Sequence, residues 1–203
     1  SELPAIKNGF VTFGCFNSLI KINDKVVRVW AKILHAVPKS KLFLKTKLLG
    51  FNPKSEELIR RFEELGIDRK KLILEGWSPR DKLLQTYNEI DIVLDPFPYP
   101  GGTTSAESLW MGVPVITLKG NNFLSHVGET VVKNTGLDEW IAKDEHDYIE
   151  KAFKFASDLR SLGILRANLR DQLLNSPLFD AKRFAAAFQA ANQSIWANRT
   201  KSS

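Results

Sequence analysis

Ile90-Asp-Ile-Val-Leu-Asp-Pro-Phe-Pro-Tyr-Pro-Gly-Gly-Thr-Thr-Ser-Ala-Glu107 carries a buried strand, a stiffened loop and a helix start in succession. The apolar run from Ile90 to Asp95 reads as a strand. Pro96, Pro98 and Pro100 restrict the chain that follows, and Gly101-Gly102 removes side chains just before a helix from Thr104 to Met111. Val113-Pro-Val-Ile-Thr-Leu118 is the next strand. Strand, helix and strand at this spacing imply parallel strands joined by a right-handed crossover.

The same alternation extends in both directions. Upstream, Phe10 to Phe16 reads as a strand and Asp24 to His35 as a helix, with Val26, Val27, Trp30, Ile33 and Leu34 on one face. Lys41 to Lys45 is a strand, Ser55 to Leu65 a helix ended by Gly66, Lys71 to Glu75 a strand, and Pro79 to Asn88 a helix. Downstream, a helix runs from Phe123 to Lys133 and Trp140-Ile-Ala142 is a short sixth strand. Helices from Glu145 to Leu159, Leu162 to Leu174 and Ala181 to Trp196 complete the chain, with a break at Ser176-Pro177 and a polar tail expected to fray after Asn198. Trp30, Trp110, Trp140 and Trp196 fall at core spacing. The expected fold is α/β, a Rossmann-like doubly wound parallel sheet with a helical C-terminal segment. It forms one domain over 1–203, with a core at about 10–143 and helices at about 144–197.

Composition narrows the function classes. The 203 residues are 43% hydrophobic and 26% charged, ordinary for a globular protein. No apolar run approaches the roughly 20 residues that span a bilayer, and no signal peptide opens the chain, so a cytoplasmic protein is expected without a membrane partner. The single cysteine, Cys15, excludes an intrachain disulfide and lies in an apolar run, where a buried inert thiol is expected. The one methionine, Met111, is internal, which reads as a fragment of a longer protein. The net charge of +6 suits a polyanionic ligand, but the basic residues are dispersed rather than clustered, so no nucleic acid is expected. The three histidines lack metal-ligand spacing, and no metal is expected.

In an open parallel sheet, ligands bind beyond the carboxyl ends of the strands. After the fourth strand, Gly101 and Gly102 lead to Thr103 and Thr104 at a helix start, whose free N–H groups and dipole favour a diphosphate. Glu107 lies one turn on from Thr103, placed to accept from a ribose diol. Thr104-Ser-Ala-Glu107 also fits a capping box, and the residues by themselves leave both readings open. After the first strand, Asn17-Ser-Leu-Ile-Lys21 offers Lys21 as a charge for a phosphate, against a plain surface lysine. After the third, Trp77-Ser-Pro-Arg80 offers Ser78 and Arg80 to a nucleotide, against an ordinary Ser-Pro helix start. His126 follows the fifth strand at the same edge, with a sugar contact or a structural role open to it.

Together, Phe13-Gly-Cys-Phe-Asn17 with Lys21, the run from Leu94 to Thr117, and Ser176-Pro-Leu-Phe-Asp180 resemble the O-GlcNAc transferase-like family, bacterial tetratricopeptide-containing members above all. The resemblance runs in order from about Phe10 to Trp196. It implies the C-terminal lobe of a two-lobed GT-B enzyme, with metal-independent, inverting transfer from a UDP-sugar to protein Ser/Thr and no cofactor. It implies Lys21 as the group that stabilises the leaving diphosphate, with donor contacts from Ser18, Ser78, Arg80, Gly101, Gly102, Thr103, Thr104, Glu107 and His126. The protein acceptor would meet an N-terminal lobe and repeats outside this chain. Ser18 stands where animal members carry glutamine, Leu83 where a histidine lies against uracil, and Gly102 where a histidine precedes the threonines. Relatives use UDP-glucose or GDP-fucose, so the sugar is N-acetylglucosamine or a related one. The rival readings are a nucleotide-sugar-binding regulatory module without catalysis and a sugar-nucleotide epimerase-like GT-B enzyme.

Overall fold

The structure, a computed structural model, describes residues 2–201. Six strands form one sheet: β1 Val11–Cys15, β2 Ser40–Lys45, β3 Leu72–Glu75, β4 Ile92–Leu94, β5 Val115–Leu118 and β6 Ile141–Ala142. Every pairing is parallel, and the strand order is β3-β2-β1-β4-β5-β6. The expected α/β doubly wound sheet is the one observed. The chain grows outward from β1 to β3, then returns to place β4 on the other side of β1, and grows outward again. The sheet therefore changes direction between β1 and β4, the switch point where loops on opposite courses open a crevice.

Burial explains why the strands read as apolar runs instead of alternating ones. All residues of β1 and β4 are buried, because helices cover both faces of the sheet. Nine helices are described: α1 Pro4–Asn8, α2 Asp24–Ala36, α3 Asn52–Glu63, α4 Arg80–Thr86, α5 Thr103–Trp110, α6 His126–Asn134, α7 Glu145–Ser157, α8 Leu159–Leu174 and α9 Ala181–Lys201. The side chain of Asn23 caps α2 by accepting from Val26 N at 3.1 Å, and Val26, Val27, Trp30, Ile33 and Leu34 are all buried as their spacing predicts. Gly66, with φ +78°, makes the left-handed turn that follows α3. Helix α2 packs on α3 and α7, and α5 on α6 and α8. One continuous core runs from Leu3 to Leu173.

Several details depart from expectation. The short helix α1 carries no periodic signal and is held instead by a tertiary bond, from Ala5 N to the buried Asp91 Oδ1 at 2.9 Å. Helix α6 begins at His126, three residues later than expected, because Phe123 to Ser125 form a turn tied through the Asn122 and Ser125 side chains. The tail expected to fray after Asn198 stays helical to Lys201, and Ser202 and Ser203 lie outside the described residues. Trp30 and Trp140 are core, but Trp196 is 72% exposed and Trp110 is half-buried against Phe179. Spacing identifies a helical face without saying what covers it. Among the described residues no helix is long and apolar enough to cross a membrane.

Candidate functional site

The loops after β1 and β4 meet at the switch point, and Lys21 joins them. Its Nζ donates to Pro100 O at 2.8 Å and to Asn17 Oδ1 at 3.2 Å, and lies 3.9 Å from the centroid of the Tyr99 ring. A short 3-10 turn, Leu19–Lys21, aims this ammonium. Ser18 starts the turn, its carbonyl accepting from Lys21 N at 3.0 Å, while its side chain makes no capping bond and is exposed. Burial lowers the Lys21 pKa from its ordinary value, and the nearby Asp95 opposes that shift. An ammonium has three hydrogens. Two are directed to Asn17 and Pro100, and the ammonium also lies over the Tyr99 ring.

Asn17 is the second half of this joint. It is buried, and its Oδ1 accepts from Thr104 Oγ1 at 3.1 Å as well as from Lys21. Thr104 is the second residue of α5, whose N-cap is Gly102, without a side-chain cap. The capping box is therefore not formed: the Thr104 hydroxyl turns to Asn17, and Glu107 pairs with Arg80 through a 2.6 Å bond to Nη1. The first turn of α5 thus keeps its N–H groups for an incoming acceptor, with Thr103 exposed beside them. Gly101 cannot carry a side chain, since a Cβ there would lie 2.6 Å from Thr104 Oγ1 and within collision distance of Ser105 Oγ. At Gly102 the nearest atom to such a carbon is Val127 Cγ1 at 3.5 Å, which sets α6 beside the start of α5.

The other expected residues occupy the rim. Arg80, at the start of α4, is 68% exposed in its side chain and reaches over to Glu107, which is 11% exposed. These two, with Leu84, Thr103, Ala106, Trp110 and Phe179, line a hollow of about 270 Å³ between α4 and α5. The Ser78 hydroxyl is buried and has no hydrogen-bond partner. His126 is held by Glu129, Nδ1 to Oε2 at 2.7 Å, and Glu129 also meets Lys119 at 3.4 Å. The His126 bond is the first cause of the lowered Glu129 pKa. Cys15 is buried, which pushes its thiol up to about 12 and leaves it unreactive. Among the described residues, no cluster of three or more His, Cys, Asp or Glu could hold a metal ion.

Sequence reasoning passed over Asp95, which is fully buried at the carboxyl end of β4. Its Oδ1 accepts from Gly101 N at 2.7 Å and Ser105 Oγ at 3.3 Å, and its Oδ2 from Thr117 Oγ1 at 3.1 Å. The signal was present, an acidic residue closing an apolar strand just before a Pro-rich and Gly-Gly loop. Around the crevice, Ile20, Phe51, Trp77, Tyr99 and Phe123 all stand exposed from turns at the carboxyl ends of the strands. Apolar groups gathered on one edge mark a surface that meets something else.

The sequence model of Glycosyl transferase family 41 matches residues 3–188. A petunia protein described as a probable UDP-N-acetylglucosamine–peptide N-acetylglucosaminyltransferase, SPINDLY, is 42% identical over 97% of this chain and 21% of its own length. The chain thus spans about a fifth of the curated relatives it matches. An O-GlcNAc transferase from Thermobaculum terrenum superposes with a TM-score of 0.89 at 39% identity, over 94% of this chain and 37% of that one. Anabaena HepE, solved with UDP and glucose, superposes with a TM-score of 0.62 at 15% identity, over 94% of this chain and 51% of that one, a likeness of fold alone.

Proposed function

This chain belongs to Glycosyl transferase family 41, and from that premise we propose that it is the donor-binding lobe of an inverting, metal-independent glycosyltransferase. The donor is a UDP-sugar, carrying N-acetylglucosamine or a related sugar, and the acceptor is a Ser/Thr hydroxyl of a protein. The acceptor and the remainder of the catalytic machinery meet this lobe from outside the chain. The exposed apolar groups on the carboxyl edge support a partner lobe closing there. A cytoplasmic setting belongs to the same proposal.

One observation carries this reading: Lys21 Nζ stands 2.8 Å from Pro100 O, which brings a cation from the β1 loop to the uncapped start of α5. Sugar transfer leaves negative charge on the departing diphosphate. A fixed ammonium and a helix N-terminus stabilise that charge as it forms, without a metal. Thr103 and Thr104 hold the same phosphates from the helix start, and the side-chain-free backbone at Gly101 and Gly102 lets them approach. Glu107 accepts from the ribose hydroxyls and Arg80 gives way, its exposed guanidinium returning to water while the ribose hydroxyls replace it at the carboxylate. The unpartnered Ser78 hydroxyl suits a polar edge of the base. Ser18 and His126 complete the rim.

Calorimetric titration with UDP, GDP and TDP tests the proposal. UDP is expected to bind tightest, with unchanged affinity in the presence of a chelator. Absence of binding to all three would remove the donor reading.

Glu107→Ala separates the ribose contact from the phosphate contact. Loss of a charged hydrogen bond costs about 1.5–3 kcal/mol, so UDP affinity should fall roughly tenfold or more. Inorganic pyrophosphate, which has no ribose, should bind the variant as it binds the parent chain. Equal loss for both ligands would place Glu107 in the phosphate site or in the fold instead.

A further inference from the structure

We propose that Asp95 is the positioning residue of the diphosphate loop: its buried carboxylate fixes the loop against α5 and β5, and its charge tunes how tightly that arrangement holds an anion. The second clause rests on the donor-site reading; the first stands on geometry alone.

Asp95 gathers five parts of the fold. Through Oδ1 it accepts from Gly101 N in the loop and from Ser105 Oγ in α5, and through Oδ2 from Thr117 Oγ1 in β5. Its main-chain oxygen accepts from Tyr148 Oη of α7 at 2.9 Å. Helix α6 is held against it by Gly128, where a Cβ would come 2.8 Å from Asp95 Oδ2 and 2.9 Å from Pro100 Cβ. The loop conformation that presents the start of α5 is therefore set from behind, by a group that does not face the ligand.

A carboxylate behind an anion site acts in two opposed ways. Its acceptors hold the loop, while its negative charge repels a diphosphate. Of the groups around it, the Lys21 ammonium favours the ionised form. Cys15, Tyr87 and Tyr148 each feel the Asp95 charge, and burial keeps all three protonated. Burial likewise pushes the Asp95 carboxyl up to about 7, against the bonds from Gly101 and Thr117. An arriving anion favours the protonated form further, so binding takes up a proton and tightens as pH falls through neutrality. A proton on Oδ2 can be donated to Thr117 Oγ1, which leaves Oδ1 accepting from Gly101 in both states.

Two readings on the 203-residue chain test this. The first is the Gly101 amide resonance, followed from pH 5.5 to 8.5 without ligand. The second is titration with UDP-N-acetylglucosamine, whose diphosphate diester does not itself change charge in that range. The Gly101 amide is expected to inflect near neutral pH, and affinity to rise at least about threefold from pH 8.5 to 6. Asp95→Asn keeps an acceptor for Gly101 and a donor for Thr117 without the charge. It should remove the inflection and bind at every pH as the parent chain does at low pH. Asp95→Ala removes the tie and should bind at least about tenfold more weakly at pH 6.

Persistence of the inflection in Asp95→Asn, or parent-like binding by Asp95→Ala, overturns the proposal. If Asp95→Ala does not fold, the resonance and Asp95→Asn still decide. A chain that binds no UDP-N-acetylglucosamine while Gly101 inflects overturns the donor reading and the charge clause, and supports the positioning clause. Binding without an inflection supports the donor reading and overturns the charge clause, and the affinity of Asp95→Ala then decides the positioning clause.

Discussion

Lys21→Ala is expected to weaken the binding of both UDP and inorganic pyrophosphate by a factor of about ten to a hundred, the worth of one charge-assisted hydrogen bond of roughly 1.5–3 kcal/mol. The loss should be common to both ligands if, as proposed, the ammonium serves the phosphates and not the nucleoside. It contrasts in this with Glu107→Ala. The variant also loses the bonds to Pro100 O and Asn17 Oδ1, so the β1 and β4 loops part more easily. Neither bond belongs to the core, and the chemical denaturation midpoint should move little. Affinity of the parent chain should fall with ionic strength, and the variant should show a shallower dependence. Undiminished pyrophosphate binding in Lys21→Ala would remove the lysine from the mechanism.

Arg166→Ala is expected to cost at least about 2 kcal/mol of stability without touching the site. Arg166, on α8, is buried, and donates to Ile90 O at 2.7 Å and Tyr87 O at 3.3 Å, where the chain turns into β4. Beside it is Asp91, also buried, whose carboxylate accepts from Ala5 N and from Thr12 N at 2.7 Å. Burial raises the Asp91 pKa and lowers that of Arg166, and each charge counteracts the shift of the other. Removing the guanidinium strands two carbonyls in the interior and takes away the positive charge that counters the burial of Asp91.

The sign of the pH dependence follows. Without Arg166 the folded-state pKa of Asp91 rises further above its unfolded value. The added penalty is absent below the folded-state pKa of Asp91 in the parent chain, itself above the ordinary carboxylate value, and grows as pH rises from there toward that of the variant. Urea denaturation should therefore show a larger loss at pH 7 than at pH 4, and Asp91→Asn should restore part of it. A loss below about 1 kcal/mol at pH 7 would mean that β4 does not depend on this anchor.

Legibility differed by element. The strand and helix bodies were readable wherever a segment buries one face or both, because burial imposes a period on the sequence. Helix α1 was not readable, since five residues held by Asp91 need no period of their own. Trp196 shows the opposite failure. It stands in a helix as its spacing predicts, yet lies 72% exposed, because a period records a face and not its covering. In the candidate site, Gly101, Gly102, Thr103 and Thr104 were legible because they are consecutive and sit where a strand gives way to a helix. The parts played by Asn17 and Asp95 were not, although Asp95 closes an apolar strand, since each depends on partners distant along the chain.

The sequence alone determined the alternation of strands and helices, the Gly-Gly helix start after β4, and the pattern that resembles the O-GlcNAc transferase-like family. These properties are encoded in residues close together along the chain. Strand order was decided only by the tertiary structure, and with it the joining of Lys21 to Pro100 across 79 positions and of Thr104 to Asn17 across 87. That the capping box does not form was also decided there. Glu107 and Thr104 could have satisfied the start of their own helix, but Arg80 and Asn17, brought in from other strand ends, bind them instead. Local spacing cannot express that competition, because its outcome depends on which loops the sheet places side by side.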